Sequence, residues 1–375
     1  MGPFVLARWP PYDGAVARVR RVLLIEPFAG ARWRSIAAYA DSLREVLGLA
    51  GVEVQSAEAP WFNPPSLAEG LRRRWWRQPT VVAAQEGAYD LVHIVDHGLA
   101  QHASRFRGAV PVVTTCHDVM PFTVPGYYAT AREATLKRAF LRRSYRALGQ
   151  SDAVIAVSRF TAGELQQTFS PGVPIAVVPN IVRPAFTVAA DEGTDPQRRG
   201  VLSVGNDRAY KNLSALVRAL ARPSLAHAAL IRVGPRLDGE TQRLAEQLGV
   251  ARRIEYRSAE DDAGLAGVYR ECAVLAQPSL AEGFGIPVIE AMASGLPVVV
   301  SDGGALPEVV ADAGIVVSLG EPDFPGAFAA ALSRAIGDDG ELARRGRERV
   351  RLFEPPAVLP ALLEAYEQAF DRQTA

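Results

Sequence analysis

The feature that most constrains this chain is a recurring alternation of short apolar runs with stretches of helical periodicity. Runs at 21–26 (RVLLIE), 52–55, 90–95 (DLVHIV), 110–115 (VPVVTT) and 153–157 (AVIAV) are strand-sized and rich in β-branched residues. Between the first two, residues 34–49 place Ile36, Tyr39, Ala40, Leu43 and Leu47 on one helical face, and Gly51 ends the pattern. A second series follows at 201–204, 230–233, 254–256, 274–276, 297–301 and 314–317. Pro179 and Pro184 bracket a hinge (VVPNIVRPAF) between the series, and 191–199 is a polar loop. Alternation of this kind demands parallel sheets with right-handed crossovers, and 375 residues suit two such domains. The expected fold class is therefore α/β, with two Rossmann-like, doubly wound domains facing each other across a cleft. In such sheets ligands sit beyond the carboxyl ends of the strands, so chemistry belongs in the loops that follow them.

Composition narrows the classes further. Hydrophobic residues make up 49% and charged residues 22%, an ordinary globular balance that excludes a disordered or membranous chain. No apolar run reaches the ~18 residues of a spanning helix. Residues 1–21 lack a basic start, an apolar centre and a small-residue cleavage site, so no leader is expected. Cys116 and Cys272 are the only cysteines and are read as buried reduced thiols of a cytoplasmic protein. The zero net charge conceals an asymmetry: residues 1–180 carry 20 Lys and Arg against 14 Asp and Glu, and the remainder carries 21 against 27. Lys137 and Lys211 are the only lysines in a chain whose other cations are arginines.

Several familiar chemistries are missing. There is no G-x-x-x-x-G-K-[ST], no G-x-G-x-x-G opening a helix after a strand and no G-x-S-x-G elbow. No D-x-D is present to hold a divalent ion on a diphosphate. His93, His97 and His102 lie on a strand and the loop after it, where i, i+4 helical metal geometry does not apply, so polar structural roles are expected. No metal site, cofactor or nucleic-acid partner is expected.

The informative stretch is 277–310, QPSLAEGFGIPVIEAMASGLPVVVSDGGALPEVV. A strand ends near Ala276, a glycine-flexed loop follows, and a helix starts with Pro287 near its first position and stops at Gly295. Gly283 and Gly285 let backbone N–H groups approach a ligand closely, and the helix N-terminus suits an anion such as diphosphate. Glu282 precedes that helix. Glu290, in its first turn or so, interrupts an apolar run, which favours a carboxylate turned inward to accept from a ribose diol. A glutamate that merely complements the helix dipole is an equal alternative.

These residues resemble the GT-B retaining glycosyltransferases of family 4, whose hallmark is EGFG-x-P-x-x-E-A-M-A-x-G-x-P-V. The resemblance implies a GT-B fold, with Glu282 near the donor hexose hydroxyls and Glu290 on the nucleotide ribose. Gly283, Phe284 and Gly285 belong to the same donor-binding motif. The loop 204–213 (VGNDRAYKNL) looks like the family's diphosphate loop. Lys211 matches its lysine, Asn206 stands where many members have arginine, and Arg208 is the nearby replacement guanidinium. His117, at the end of VVTTCHD, matches a histidine near the donor sugar. Gly30 sits where the family has a glycine-rich loop, although PFAGARW lacks the usual glycine pair. Residues 353–370 resemble a helix that recrosses to the first domain. The implied domains are 1–182, with 354–375 packed back on it, and 183–353 as the nucleotide-sugar domain.

The implied activity is metal-independent retaining transfer of a hexose from GDP-mannose or a UDP-hexose to an acceptor hydroxyl. The acceptor class stays open between a glycan, a lipid-linked sugar and a small molecule. Catalytic roles are expected for His117, Lys211 and Glu282, with Lys211, Arg208 and a helix N-terminus stabilising the leaving diphosphate. Replacing Lys211 by Ala is expected to leave the fold and melting temperature nearly unchanged. A nucleotide-sugar epimerase of the same architecture and a noncatalytic sugar-nucleotide-binding protein are the alternatives. One further stretch, 66–77 (SLAEGLRRRWWR), combines a capping box with an Arg/Trp-rich helix face. It suits peripheral contact with the inner face of a membrane, or equally Arg/Trp packing at a domain surface.

Overall fold

The computed structural model describes residues 18–27, 34–59, 89–128, 130–187 and 200–374. They form two units. The first holds the described residues up to Thr123, Tyr128–Ile181 and the C-terminal segment from Pro355; the second holds Val124–Tyr127 and Val182–Glu354. Gly30 and the 66–77 stretch lie outside the described residues. Among the described residues no helix is long and apolar enough to cross a membrane.

In the first unit, β1 (Arg21–Pro27), β2 (Glu53–Ala59), β3 (Leu91–Ile94), β4 (Val112–Cys116), β5 (Ala153–Ala156) and β6 (Ile175–Val177) form one sheet in the order β2-β1-β3-β4-β5-β6. Every pairing is parallel. Both faces are covered, which is why β1 reads as a continuous apolar run and does not alternate with polar residues. Val22 and Leu24 enter one core, and Leu23 and Ile25 enter another. The first core is closed by helix Arg34–Leu49, through Tyr39, Leu43, Val46 and Leu47, and by the C-terminal helix Pro355–Thr374. That last helix buries Val358, Leu359, Leu362, Ala365, Tyr366 and Ala369, a stripe at helical spacing, and so belongs to the first unit. The three-residue edge strand β6, half-exposed and closely flanked by Pro174 and Pro179, is absent from the sequence-based strand series. Cys116 and Cys272 are both free and buried.

The second unit's strands are β7 (Val201–Val204), β8 (Leu230–Val233), β9 (Ile254–Arg257), β10 (Val274–Gln277), β11 (Val298–Ser301) and β12 (Ile315–Val317). All are parallel, in the order β9-β8-β7-β10-β11-β12. Counted within the unit this is 3-2-1-4-5-6, the Rossmann order, and the winding reverses between β7 and β10. The loops after β7 and β10 therefore diverge at the switch point, where such sheets hold ligands. Helix Ile286–Ala293 follows the second of these loops and is buried from Val288 to Ala293, so its sequence is apolar on every face except at Glu290. In the first unit the reversal falls between β1 and β3, with Asp96 and His97 just beyond β3.

Candidate active site

The loops after β7 and β10 are fastened to each other by backbone and side chains. Leu280 N–H donates to the Tyr210 carbonyl (2.7 Å), and Asn212 Nδ2 donates to the Pro278 carbonyl (3.1 Å). Across this junction Lys211 Nζ donates to Glu282 Oε1 at 2.7 Å, with both side chains buried. Gln277 Nε2 and Ser279 Oγ donate to the same oxygen, each at 2.6 Å. One carboxylate oxygen thus receives three donors, while Oε2 accepts from no described residue. Lys211 has three N–H donors and, among the described residues, gives one to protein, leaving two. Gln277 and Ser279 had no role in the sequence reading. Their only signal was polarity at the end of a buried strand in the quoted motif.

The SDGG loop after β11 supports this carboxylate from below. Ala305 N–H donates to the Glu282 carbonyl at 2.9 Å, and Ser301 Oγ donates to the Ser279 carbonyl. A Cβ at Gly304, whose φ is +70°, would lie 2.4 Å from the Glu282 carbonyl oxygen; one at Gly303 would lie 2.2 Å from that of Ser279. Only glycines permit two backbones to meet this closely. Gly285, also at positive φ, turns the chain into helix Ile286–Ala293. Phe284 is buried and packs edge-on against Phe353, so the motif's phenylalanine serves the core through its side chain.

In the β7 loop, Asn206 structures the turn itself. Its Oδ1 accepts from Arg208 N–H (3.2 Å), and its Nδ2 donates to Tyr210 Oη (3.0 Å). Arg208 carries its guanidinium 5.2 Å from the centre of the Tyr127 ring, which stacks on Tyr210. Gly205 lies beside the Lys211 ammonium: a Cβ there would be 3.4 Å from Nζ.

Glu290 is the fifth residue of its helix, just past the first turn. Its Oε1 accepts from Arg183 and its Oε2 from Tyr269 Oη at 2.8 Å. Arg183 also pairs with Asp262, a tie that joins the start of the unit to helix Asp262–Glu271. Burial raises the Glu290 carboxyl above its ordinary range, while the Arg183 guanidinium and the Tyr269 hydroxyl oppose that shift. Burial also pushes the Tyr269 hydroxyl up, and the neighbouring Glu290 adds to it. An ionised carboxylate has about four lone-pair sites, so Glu290 keeps acceptor capacity after both contacts. Arg183 and Tyr269 escaped the sequence reading because neither lies near Glu290 in the chain.

The first unit offers a different chemistry at its strand ends. His117 follows β4, and its Nε2 lies 2.8 Å from the Val95 carbonyl, which fixes the proton on Nε2 and leaves Nδ1 an acceptor. Burial lowers the His117 pKa and keeps the ring neutral, against the pull of Asp96. Tyr39 meets it edge-to-face at 4.8 Å. Behind Tyr39 runs a buried chain: Tyr39 Oη to Thr115 Oγ1 (2.9 Å), Thr115 Oγ1 to His93 Nε2 (2.8 Å), and His93 Nδ1 to Tyr366 Oη (2.8 Å). His97 is tied to Tyr145, and Tyr145 Oη donates to the Asp118 carbonyl, both at 2.9 Å. Burial pushes the Asp118 carboxyl up and drives His93 down to about 3. His93, His97 and His117 are thus bound into polar networks, and among the described residues no three His, Cys, Asp or Glu side chains gather as a metal site.

Two Rossmann-like sheets, with an ammonium–carboxylate pair at the switch point of the second, are the architecture of the two-domain glycosyltransferases and of other nucleotide-sugar enzymes. Residues 10–186 match Glycosyltransferase Family 4, and 187–353 match Glycosyl transferases group 1. The chain belongs to the GT-B glycosyltransferases and is an enzyme of that class. It is 29% identical over 322 residues to an MMP alpha-(1->4)-mannosyltransferase of Mycolicibacterium hassiacum, covering 80% of this chain and 75% of the relative. It is 28% identical over 316 residues to a D-inositol 3-phosphate glycosyltransferase of Salinispora arenicola, covering 76% and 69%. Among solved structures it resembles sucrose-phosphate synthase from Thermosynechococcus elongatus, with a TM-score of 0.72 and 23% identity over 94% of this chain and 99% of that one. It also resembles Anabaena Alr3699/HepE in complex with UDP and glucose, with a TM-score of 0.66 and 18% identity over 93% and 99%.

Proposed function

We propose that this glycosyltransferase moves a hexose, with retention of anomeric configuration and without a metal ion, from a nucleoside-diphosphate hexose to an acceptor hydroxyl. The observation that carries this reading is the buried Lys211 ammonium at the β7–β10 switch point, with two donors left for a ligand. As the anomeric C–O bond breaks, negative charge grows on the departing diphosphate. A preorganised cation in a water-poor site stabilises that charge where it develops. The N-terminus of helix Ile286–Ala293 adds its partial positive charge nearby.

The acceptor oxygen bonds to the anomeric carbon on the face the diphosphate leaves. Its proton passes to the departing phosphate oxygen, and the products are the glycoside and the nucleoside diphosphate. Glu282 is a poor nucleophile for the alternative double displacement, because Oε1 is already held by three donors that lower its basicity. It suits the hexose hydroxyls instead, through Oε2. Glu290, held by Arg183 and Tyr269, suits the ribose diol. His117 offers an unprotonated Nδ1 for a sugar hydroxyl. Arg208 is a further cation for the diphosphate.

The donor is GDP-mannose or a UDP-hexose. A mannosyltransferase among the relatives favours the first, and a fold neighbour solved with UDP and glucose favours the second. A thermal-shift panel of UDP-, GDP-, ADP- and dTDP-sugars decides between them, since a ligand at 100 Kd stabilises by about 2.7 kcal/mol. Transfer with the selected donor should persist in excess EDTA. Activity that EDTA abolishes and Mg²⁺ or Mn²⁺ restores would remove the metal-free mechanism, and a panel with no binder would remove the donor itself.

A further inference from the structure

Arg232 stands in the middle of β8 between Ile231 and Val233, in a strand buried along its length. Its side chain is fully buried, and its hydrogen bonds among the described residues all go to backbone carbonyls. Burial lowers the guanidinium's pKa, and the Asp207 carboxylate opposes that shift from beyond ion-pair distance. A buried cation without a close partner is costly, so a purely structural strand position would favour Val or Ile. The guanidinium is instead aimed at the loop after β7. One terminal nitrogen donates to the Gly205 carbonyl (2.6 Å) and the Asn206 carbonyl (2.7 Å), and the other reaches the Ser203 and Val233 carbonyls, each at 3.3 Å. Gly234, with a φ of +142°, leaves room for this: a Cβ there would lie 2.0 Å from the Gly205 carbonyl oxygen and 3.1 Å from the guanidinium.

The consequence follows from peptide geometry. In a trans peptide the N–H points opposite to the preceding C=O. Drawing the Gly205 and Asn206 carbonyls onto Arg232 turns the Asn206 and Asp207 N–H groups to the other side of the loop. Neither amide donates to an acceptor among the described residues. On the same loop Gly205 lies against the Lys211 ammonium. Successive free amides beside a fixed cation make an anion-binding concavity.

We propose that Arg232 is a positioning residue for the donor diphosphate: it holds two loop carbonyls so that the Asn206 and Asp207 amides face the phosphates beside Lys211. It supplies by this route what the loop loses with Asn206 in place of a guanidinium, because the Asn206 side chain is engaged in the turn. The inference rests on the donor reading above and adds to it a residue from outside the loop.

The test measures, by calorimetry on the full chain, affinity for UDP and GDP against uridine and guanosine. In Arg232→Met, affinity for the preferred diphosphate should fall by at least about tenfold, the scale of a lost charge-assisted hydrogen-bond network, while nucleoside affinity stays within about twofold. Arg232→Lys keeps the charge without the fork and should fall between. A diphosphate-to-nucleoside affinity ratio equal to wild type in either folded variant overturns the proposal, even if the melting temperature drops. A second measurement needs no variant: in the wild-type protein, the Asn206 and Asp207 amide resonances should move on adding the diphosphate and stay in place with the nucleoside. Unmoved amides with a bound diphosphate overturn the positioning role alone. A wild-type protein that binds neither diphosphate overturns the donor reading, and the inference with it.

Discussion

The longest buried polar networks of the two units differ in electrical state, although the first unit also buries Glu26 in a pair with Arg44. In the first, Tyr366, His93, Thr115 and Tyr39 form a neutral hydrogen-bonded chain, and burial keeps the His93 and His117 rings uncharged. In the second, the corresponding depth holds Lys211 with Glu282, Arg183 with Glu290, and Arg232, which has no close ion pair among the described residues. Both sheets are parallel and both bring loops to a switch point, so the fold does not impose the difference. The side chains at the strand ends do. A neutral network orients hydroxyls and is disturbed by protons, whereas a charged one stabilises an anion and is disturbed by removing a charge.

The largest effect is expected from Lys211→Ala. Loss of a preorganised donor to a developing charge costs about 10²–10³ in kcat, or ~3–4 kcal/mol of transition-state stabilisation. The expectation of an unchanged melting temperature needs correction, because Lys211 is buried in an ion pair and does not sit in a solvated loop. Breaking a buried pair by removing one partner costs about 3–5 kcal/mol when nothing else satisfies the charge that remains. Gln277 and Ser279 still donate to Glu282, so a smaller loss is expected here. Lys211→Arg should recover part of the stability and less of the rate, since a planar fork does not reproduce a compact ammonium. Steady-state kinetics and calorimetric melting on both variants check this. Wild-type kcat in Lys211→Ala would place the leaving-group charge elsewhere and erase the electrical contrast between the units.

Acid should act on the first unit. His93 has a folded pKa of about 3 against an ordinary 6.5, so the unfolded chain takes up its proton first as the pH falls. The associated stability is complete above pH 6.5 and is lost at about 1.4 kcal/mol per pH unit between 6.5 and 3. By pH 5 that amounts to about 2 kcal/mol. Denaturant unfolding of wild type and His93→Gln across pH 5–7 tests the assignment: the variant, lower in absolute stability, should show the flatter curve. Equal slopes would move the acid sensitivity to another group and weaken the comparison.

How much of this was legible in the sequence follows the same division. Strand and helix order could be read because buried parallel strands are continuous apolar runs. The second unit's Lys211 and Glu282 could be named because a long local motif and a rare lysine marked them. What escaped was long-range. Arg183 reaches Glu290 across 107 residues, and Tyr366 reaches His93 across 273. No local pattern encodes such pairs. Arg232 did carry a local signal, a cation inside the apolar run LIRV, yet its target loop lies 26–27 residues away and only the sheet order brings them together. The edge strand β6 was missed because three half-exposed residues beside prolines bury too little to show a period.

The smallest effect is expected from Tyr366→Phe, and it is the sharpest test of whether the neutral network stands apart from phosphate chemistry. Tyr366 is buried on the C-terminal helix, and its hydroxyl is the partner of His93 Nδ1 at 2.8 Å. Removing the hydroxyl keeps the ring's packing and leaves one buried imidazole nitrogen unsatisfied, at a cost of about 1 kcal/mol. For a domain of this size that shifts the melting temperature by roughly 2–4 °C. The ring of His93 stays buried and keeps Thr115 on its other nitrogen, so the acid slope should persist. Nucleoside-diphosphate affinity should match wild type, because no group in the Tyr39–Thr115–His93–Tyr366 network carries charge. Should the substitution weaken diphosphate binding as much as it lowers stability, the hydrogen-bonded chain would be coupled to the charged site, and neutral and charged machinery would have to be treated as one.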